Sequence, residues 1–200
     1  ESRPFFFWKP HMLAIGYTEE DLAALPERVQ SGEYTLQNVL EDAKKMQDAG
    51  LVQPGYGFYP RFSNGPDFWQ FYTSFGGVME EDGKLVFDKA AMTRFYQFFA
   101  DAVATGVTKK NHIGMPGDQW WAEVAAGKAG IWHGGTWHYA RYVNQEGLTD
   151  FFGNVAFSLI PAGEGGKANT LTHPLVYLIT SGHDEETTNI AAQLITTASE

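Results

Sequence analysis

The sequence predicts an α/β fold on three observations. Helical and strand periodicities alternate along the chain, most helices carry recognisable start and stop residues, and no repeat or low-complexity stretch interrupts them. The apolar run at 5–7 reads as a strand entering the domain. Thr18, with Asp21 three residues on, is a capping-box-like start for a short acidic helix expected to close near Pro26. Thr35 caps a longer helix in which Leu36, Val39, Leu40, Ala43 and Met46 recur at helical spacing, up to Gly50.

Residues 55–60 are irregular and aromatic. Asn64-Gly65-Pro66 reads as a helix entry with Pro66 near the first position, leading through 67–75 to a Gly76-Gly77 stop. A short strand is expected at 84–87. Asp88 caps a long helix carrying Ala91, Phe95, Phe98, Phe99, Ala102 and Val103, closed by Gly106. Asp118 is expected to cap a helix through Trp120, Trp121, Val124 and Ala125, stopped at Gly127. A strand at 129–133 then meets the turn Gly134-Gly135 and a helix from about 136 to 145. Strands at 155–160 and 175–180 flank the Gly-rich loop 163–166, and a helix at 185–199 ends the chain.

Composition narrows the function. Hydrophobic residues make up 44% and charged residues 19% of the chain, enough apolar content for a real core. The formal charge of −10 argues against nucleic acid or an anionic membrane as partner, since both need a basic face. No apolar run approaches the ~20 residues that span a bilayer. Cysteine is absent, which fits an exported or a cytosolic setting. The start at Glu1, without Met and without a signal-peptide pattern around residues 5–8, reads as the interior of a longer precursor. The aromatic share of 15% is high, and several rings stand beside Gly, Asn or His. Flat rings in polar surroundings suit an amphipathic ligand, although most of the Phe residues read as core.

Catalytic signatures fail. Residues 163–168 (GEGGKA) glance at a phosphate loop, but Pro161 stands at its first Gly position and Ala168 where the hydroxyl belongs. There is no nucleophile elbow and no thiol. His133 and His138 do not have zincin spacing, so neither a metal nor a cofactor is expected. Paired carboxylates for glycoside hydrolysis remain an alternative, with Asp67, Asp118 and Glu123 as candidates. A purely structural or adhesive domain is a third reading. The positive signal is 127–137 (GKAGIWHGGTW). Here Gly134 and Gly135 give a ligand room beside the backbone, a helix start offers N–H donors, and Trp137 stands at the mouth. A tight turn with Trp137 as a core anchor is the competing structural reading.

The order of segments resembles the extracellular solute-binding proteins of sugar ABC importers, the maltose-binding-protein-like group. Residues 3–9 (RPFFFWK) resemble the inter-lobe crossover strand, with Trp8 in place of the family's Asn; 35–50 resembles its early helix, and 67–77 (DFWQFYTSFGG) its aromatic helix ending in Gly-Gly. Residues 82–87 resemble its short acidic-Gly strand, 157–163 (FSLIPAG) its Leu-Pro-Gly strand and 171–180 the strand facing the cleft. The resemblance implies the C-terminal α/β lobe of a periplasmic-binding-protein-like type II fold, truncated at both ends. Residues 1–9 would be the crossover and 10–200 most of that lobe, with an N-terminal lobe before Glu1 and further helices after Glu200.

It further implies a monomeric, periplasmic or extracellular binding component, with or without a lipid anchor. Such a protein hands a sugar or polyol to a membrane permease and is not an enzyme. Trp137 matches the family's ring-stacking tryptophan, and Tyr139 and Trp69 match aromatics near the ligand. Asp67 falls where its helix approaches the ligand, and His173 stands where the family has Gly. With Gly135 these make the expected ligand site. Arg61 and Arg141 are the only basic residues placed near it by sequence, which favours a neutral ligand.

Overall fold

The computed structural model describes residues 2–61, 65–112, 114–174 and 176–199. Its centre is a three-stranded antiparallel sheet, in the order β4-β1-β5, formed by β1 (Phe5–Trp8), β4 (Ile131–His133) and β5 (Val155–Ser158). Phe6 lies opposite Trp132 on one side and Phe157 on the other. Successive side chains of a strand point to opposite faces, so an unbroken Phe-Phe-Phe run requires a sheet covered on both faces. That is what forms. Phe5 and Phe7 enter one core with Leu25, Val39, Ala43, Phe58, Phe71 and Phe98. Phe6 and Trp132 enter a second, with Trp120, Val124, Tyr142 and Phe151. Each buried Phe stabilises by roughly 1.5–3 kcal/mol through area withdrawn from water.

The first core is roofed by α2 (Glu19–Ser31), α3 (Leu36–Asp48), α4 (Pro66–Ser74) and α5 (Lys89–Ala104). The capping box at Thr18 and the Asp88 cap form as expected, and α3 starts at Thr35 as expected, with the Asn38 side chain accepting from the Thr35 N–H (2.9 Å). Helix α2 differs, running through Pro26 to a left-handed Gly32. The one hydrogen bond that Pro26 forgoes is outweighed because Leu22, Leu25 and Val29 are all buried on one face. Two short helices went unanticipated, α1 (Lys9–Ala14) and α8 (Phe151–Asn154). The expected strand at 84–87 shortens to β3 (Lys84–Leu85), paired with β2 (Glu80–Glu81). Asp82 and Gly83 join them, both with positive φ, as a tight hairpin turn needs.

The second core is closed by α6 (Gly117–Ala125) and α7 (His138–Asn144). The N-cap of α6 is Pro116, and Asp118 lies in the first turn instead, where it pairs with Arg141. The expected helix entry includes Asn64, which lies outside the described residues. So does Leu175, the first residue of the expected strand at 175–180. Residues 176–180 are not a strand. A strand needs a ladder partner, and these residues pair with none of the described strands. Val176 and Leu178 are therefore exposed, at 70% and 84%. Helix α9 (Glu185–Ser199) forms as expected, with Ile190 and Leu194 turned outward. No helix is long and apolar enough to cross a membrane among the described residues.

Candidate functional site

Register places the site. Phe5 faces His133 across β1 and β4, so the residues before β1 run beside the turn that follows β4. The Gly134 N–H donates to Pro4 O (3.3 Å) and the Thr136 N–H to Ser2 O (2.9 Å). On the other flank, the Arg3 N–H lies 3.2 Å from both Leu171 O and Thr170 Oγ1. Arg3 is thereby fixed between the Gly-Gly turn and the 170–173 segment, and α4 brings Asp67 to its side chain.

The Arg3 guanidinium donates from Nη1 to Asp67 and from Nε to His173 Nε2 (2.9 Å), and lies 4.8 Å from the Trp137 ring centroid. Asp67 is fully buried, with His133 Nε2 3.6 Å from its Oδ1. A buried carboxylate requires such compensation, because an unpaired charge there is strongly unfavourable. Trp137 is half-buried between two imidazoles, with ring centroids 5.3 Å from His138 and 6.0 Å from His173. Arg61 Nη1 sits 2.6 Å from His138 Nε2. A guanidinium can only donate, so this nitrogen accepts and the ring is neutral. Burial, then Arg61 and Arg3, hold the His138 pKa down at about 3; burial likewise lowers that of His133, against the pull of Asp67.

Two details of the turn differ from expectation. A Cβ on Gly135 would lie 2.2 Å from the Trp137 ring, and one on Gly134 2.7 Å from His138 Nδ1. The glycines thus make room for these rings, and that space is filled from within the chain. Several of the donors expected at the helix start are also in use. The His138 N–H bonds Gly135 O and the Tyr139 N–H bonds Thr136 O, in addition to the two bonds to the residues before β1. What the turn presents is side-chain chemistry.

The other predicted residues divide. Trp69 is 43% exposed on α4 and touches Tyr72, with no ring contact to Trp137. Tyr139 packs on Phe151 and Phe152 and lines a separate apolar pocket of about 320 Å³ with Pro4, Phe6, Thr136 and Phe157. Glu123 accepts from the hydroxyls of Tyr56 (2.8 Å) and Tyr59, with Lys109 3.7 Å away. Burial raises its pKa, but these bonds outweigh it and hold the group below the ordinary carboxylate range. Asp67, Asp118 and Glu123 are therefore each committed to a different partner. No group of three His, Asp or Glu side chains that could hold a metal occurs among the described residues. Sequence reasoning missed Arg3 as a site residue. The one available signal is a charged residue placed one proline before a wholly apolar strand.

No protein-family model matches the chain, and no curated protein matches it. Solved structures do. MalE3 of T. maritima with bound maltose superposes with a TM-score of 0.65 at 21% identity, over 84% of this chain and 40% of that one. The GacH receptor of Streptomyces glaucescens GLA.O, solved unliganded and with acarbose, gives 0.63 at 16% identity, over 83% and 39%. An ABC transporter solute-binding protein of Agrobacterium radiobacter K84 in complex with ribitol gives 0.64 at 17% identity, over 97% and 46%. The fold is that of part of an ABC-transporter solute-binding protein, and this chain spans less than half the length of those it matches.

Proposed function

We propose that the chain forms most of the C-terminal lobe of the substrate-binding component of an ABC importer, with residues 1–9 crossing between lobes. It captures a sugar or sugar-like polyol outside the cytoplasmic membrane, in the periplasm or at the cell surface, and delivers it unchanged to the permease as a monomer. The observation that carries this reading is the fold match to binding proteins for maltose, acarbose and ribitol. The polar, half-open setting of Trp137 supports it. A ring flanked by a guanidinium and imidazoles stacks on the apolar face of a sugar while its neighbours bond the hydroxyls. His173 and Arg3 are the direct polar contacts, Asp67 orients Arg3, and Gly135 seats the Trp137 ring. Trp69 and Tyr139 would lie at the margins. Closure of a second lobe would complete the enclosure.

Hydrolysis needs two carboxylates facing across roughly 5–9.5 Å, and the separate engagements of Asp67, Asp118 and Glu123 lend it no support. The test is calorimetric titration of the longest natural chain containing this sequence with maltose, mannitol and ribitol. Trp137→Ala is expected to weaken binding about a hundredfold while thermal unfolding stays cooperative. An unchanged affinity in the variant removes Trp137 from the site, and binding of none of these compounds by the unaltered chain overturns the reading.

A further inference from the structure

The surroundings of Trp137 run against the charge of the whole chain, which has 14 basic and 24 acidic residues. One guanidinium, Arg3, lies 4.8 Å from the centroid of this ring and bonds His173 beside it. A second, Arg61, stands one side chain further out, bonded to the His138 that meets Trp137 edge-on and lying over Trp121. Against them stands, among the described residues, one carboxylate, Asp67, which is spent on Arg3. Among the described residues no carboxylate lies within ion-pair distance of Arg61. Its neighbour Arg141, which lies against the same Trp121 ring, is by contrast bound by both Asp118 and Glu146. The bridging His138 accepts from Arg61 and so adds no charge. Both arginines also keep donors in reserve. Among the described residues, Nη2 of Arg3 and Nε and Nη2 of Arg61 bond no protein group, and none of the three is sealed from solvent.

We infer that the ligand held at Trp137 carries a carboxylate, so that the chain takes a sugar acid such as a hexuronate or an aldonate, with Arg61 and the free edge of Arg3 as its donors. This rests on the reading of the Trp137 face as the ligand site, and it reverses the neutral ligand favoured by sequence. A guanidinium offers paired N–H donors that fit a carboxylate in the plane of its fork. One uncompensated cation matches the single charge of a carboxylate and falls short of a phosphate dianion. Both guanidiniums also act on the same two buried imidazoles, depressing the pKa of His133 and of His138, which places them in one electrostatic neighbourhood.

The experiment compares glucuronate and galacturonate with glucuronamide, an uncharged isostere, and with glucose, by calorimetry on the longest natural chain containing this sequence. Glucuronate or galacturonate is expected to bind at least about tenfold tighter than the neutral compounds, as a charge-assisted hydrogen bond provides. The preference should shrink as salt is raised. Arg61→Gln should bring the acid-to-amide ratio toward one, and Arg61→Lys should restore part of it. The isostere comparison needs no variant, so a misfolded Arg61→Gln leaves it standing. Equal affinity for acids and neutral compounds, with binding still lost in Trp137→Ala, overturns this inference and keeps the binding reading. Binding of neither class overturns both.

Discussion

Trp137 and Tyr139 are two residues apart in the chain and stand in unlike regions. Around Trp137 the groups are charged or polar and mutually bonded: Arg3 to Asp67, Arg3 to His173, Arg61 to His138. Around Tyr139 rings meet rings, with Phe152 stacked at 5.5 Å and Phe151 edge-on at 5.3 Å, beside an almost wholly apolar pocket. Rings alone offer area without direction, whereas a ring set among oriented donors distinguishes one hydroxyl pattern from another. An equal density of aromatics in the sequence therefore does not mean equal capacity for recognition.

The contrast is broken most severely at Asp67. Asp67→Asn leaves the Arg3 guanidinium buried without its counter-charge, and the unfolding free energy from urea titration should drop by about 3–5 kcal/mol. A loss under about 1 kcal/mol would mean that the pair does not hold this region together. An acid titration sharpens the contrast next. His138, and His112 beneath the Pro60 carbonyl, are held neutral chiefly by burial, at about 3 and about 4. Because their folded pKa values lie below the ordinary 6.5, the unfolded chain takes up protons first. Their contribution is intact above pH 6.5 and is lost as pH falls. Between pH 6.5 and 5 each costs about 2 kcal/mol, and His138→Gln should flatten the slope in a series of urea melts. The lining of the Tyr139 pocket includes no histidine or carboxylic acid. The smallest effect belongs there. Tyr139→Ala should change sugar affinity less than about threefold and stability by about 1 kcal/mol, since the ring is 43% exposed. A loss of binding as large as that of Trp137→Ala would merge the two regions into one site.

Legibility followed the range of the interactions. The starts of α2, α3 and α5 were readable because a cap and its N–H lie three residues apart. The end of α2 was misread because Val29, past Pro26, is buried by a core assembled from distant segments. The run at 175–180 has strand composition, yet residues 176–180 meet no ladder partner, and composition alone cannot supply one. At the site, Trp137 announced itself through its glycines, whose need for space is local. Arg3 did not, because Asp67 lies 64 residues away and His173 170.

From the sequence by itself came the α/β class, most of the helices and their caps, and the turn carrying Trp137. These depend on periodicity and on hydrogen bonds spanning a few residues. Only the tertiary structure decided what surrounds that tryptophan. It filled the glycine space with rings, took up several of the expected donors, moved Tyr139 to another pocket, and brought Arg3 to the Trp137 ring and Arg61 to the adjoining His138. The physical reason is that charge and hydrogen-bond compensation in a buried setting are settled between groups far apart in the chain, by the register of β1 against β4.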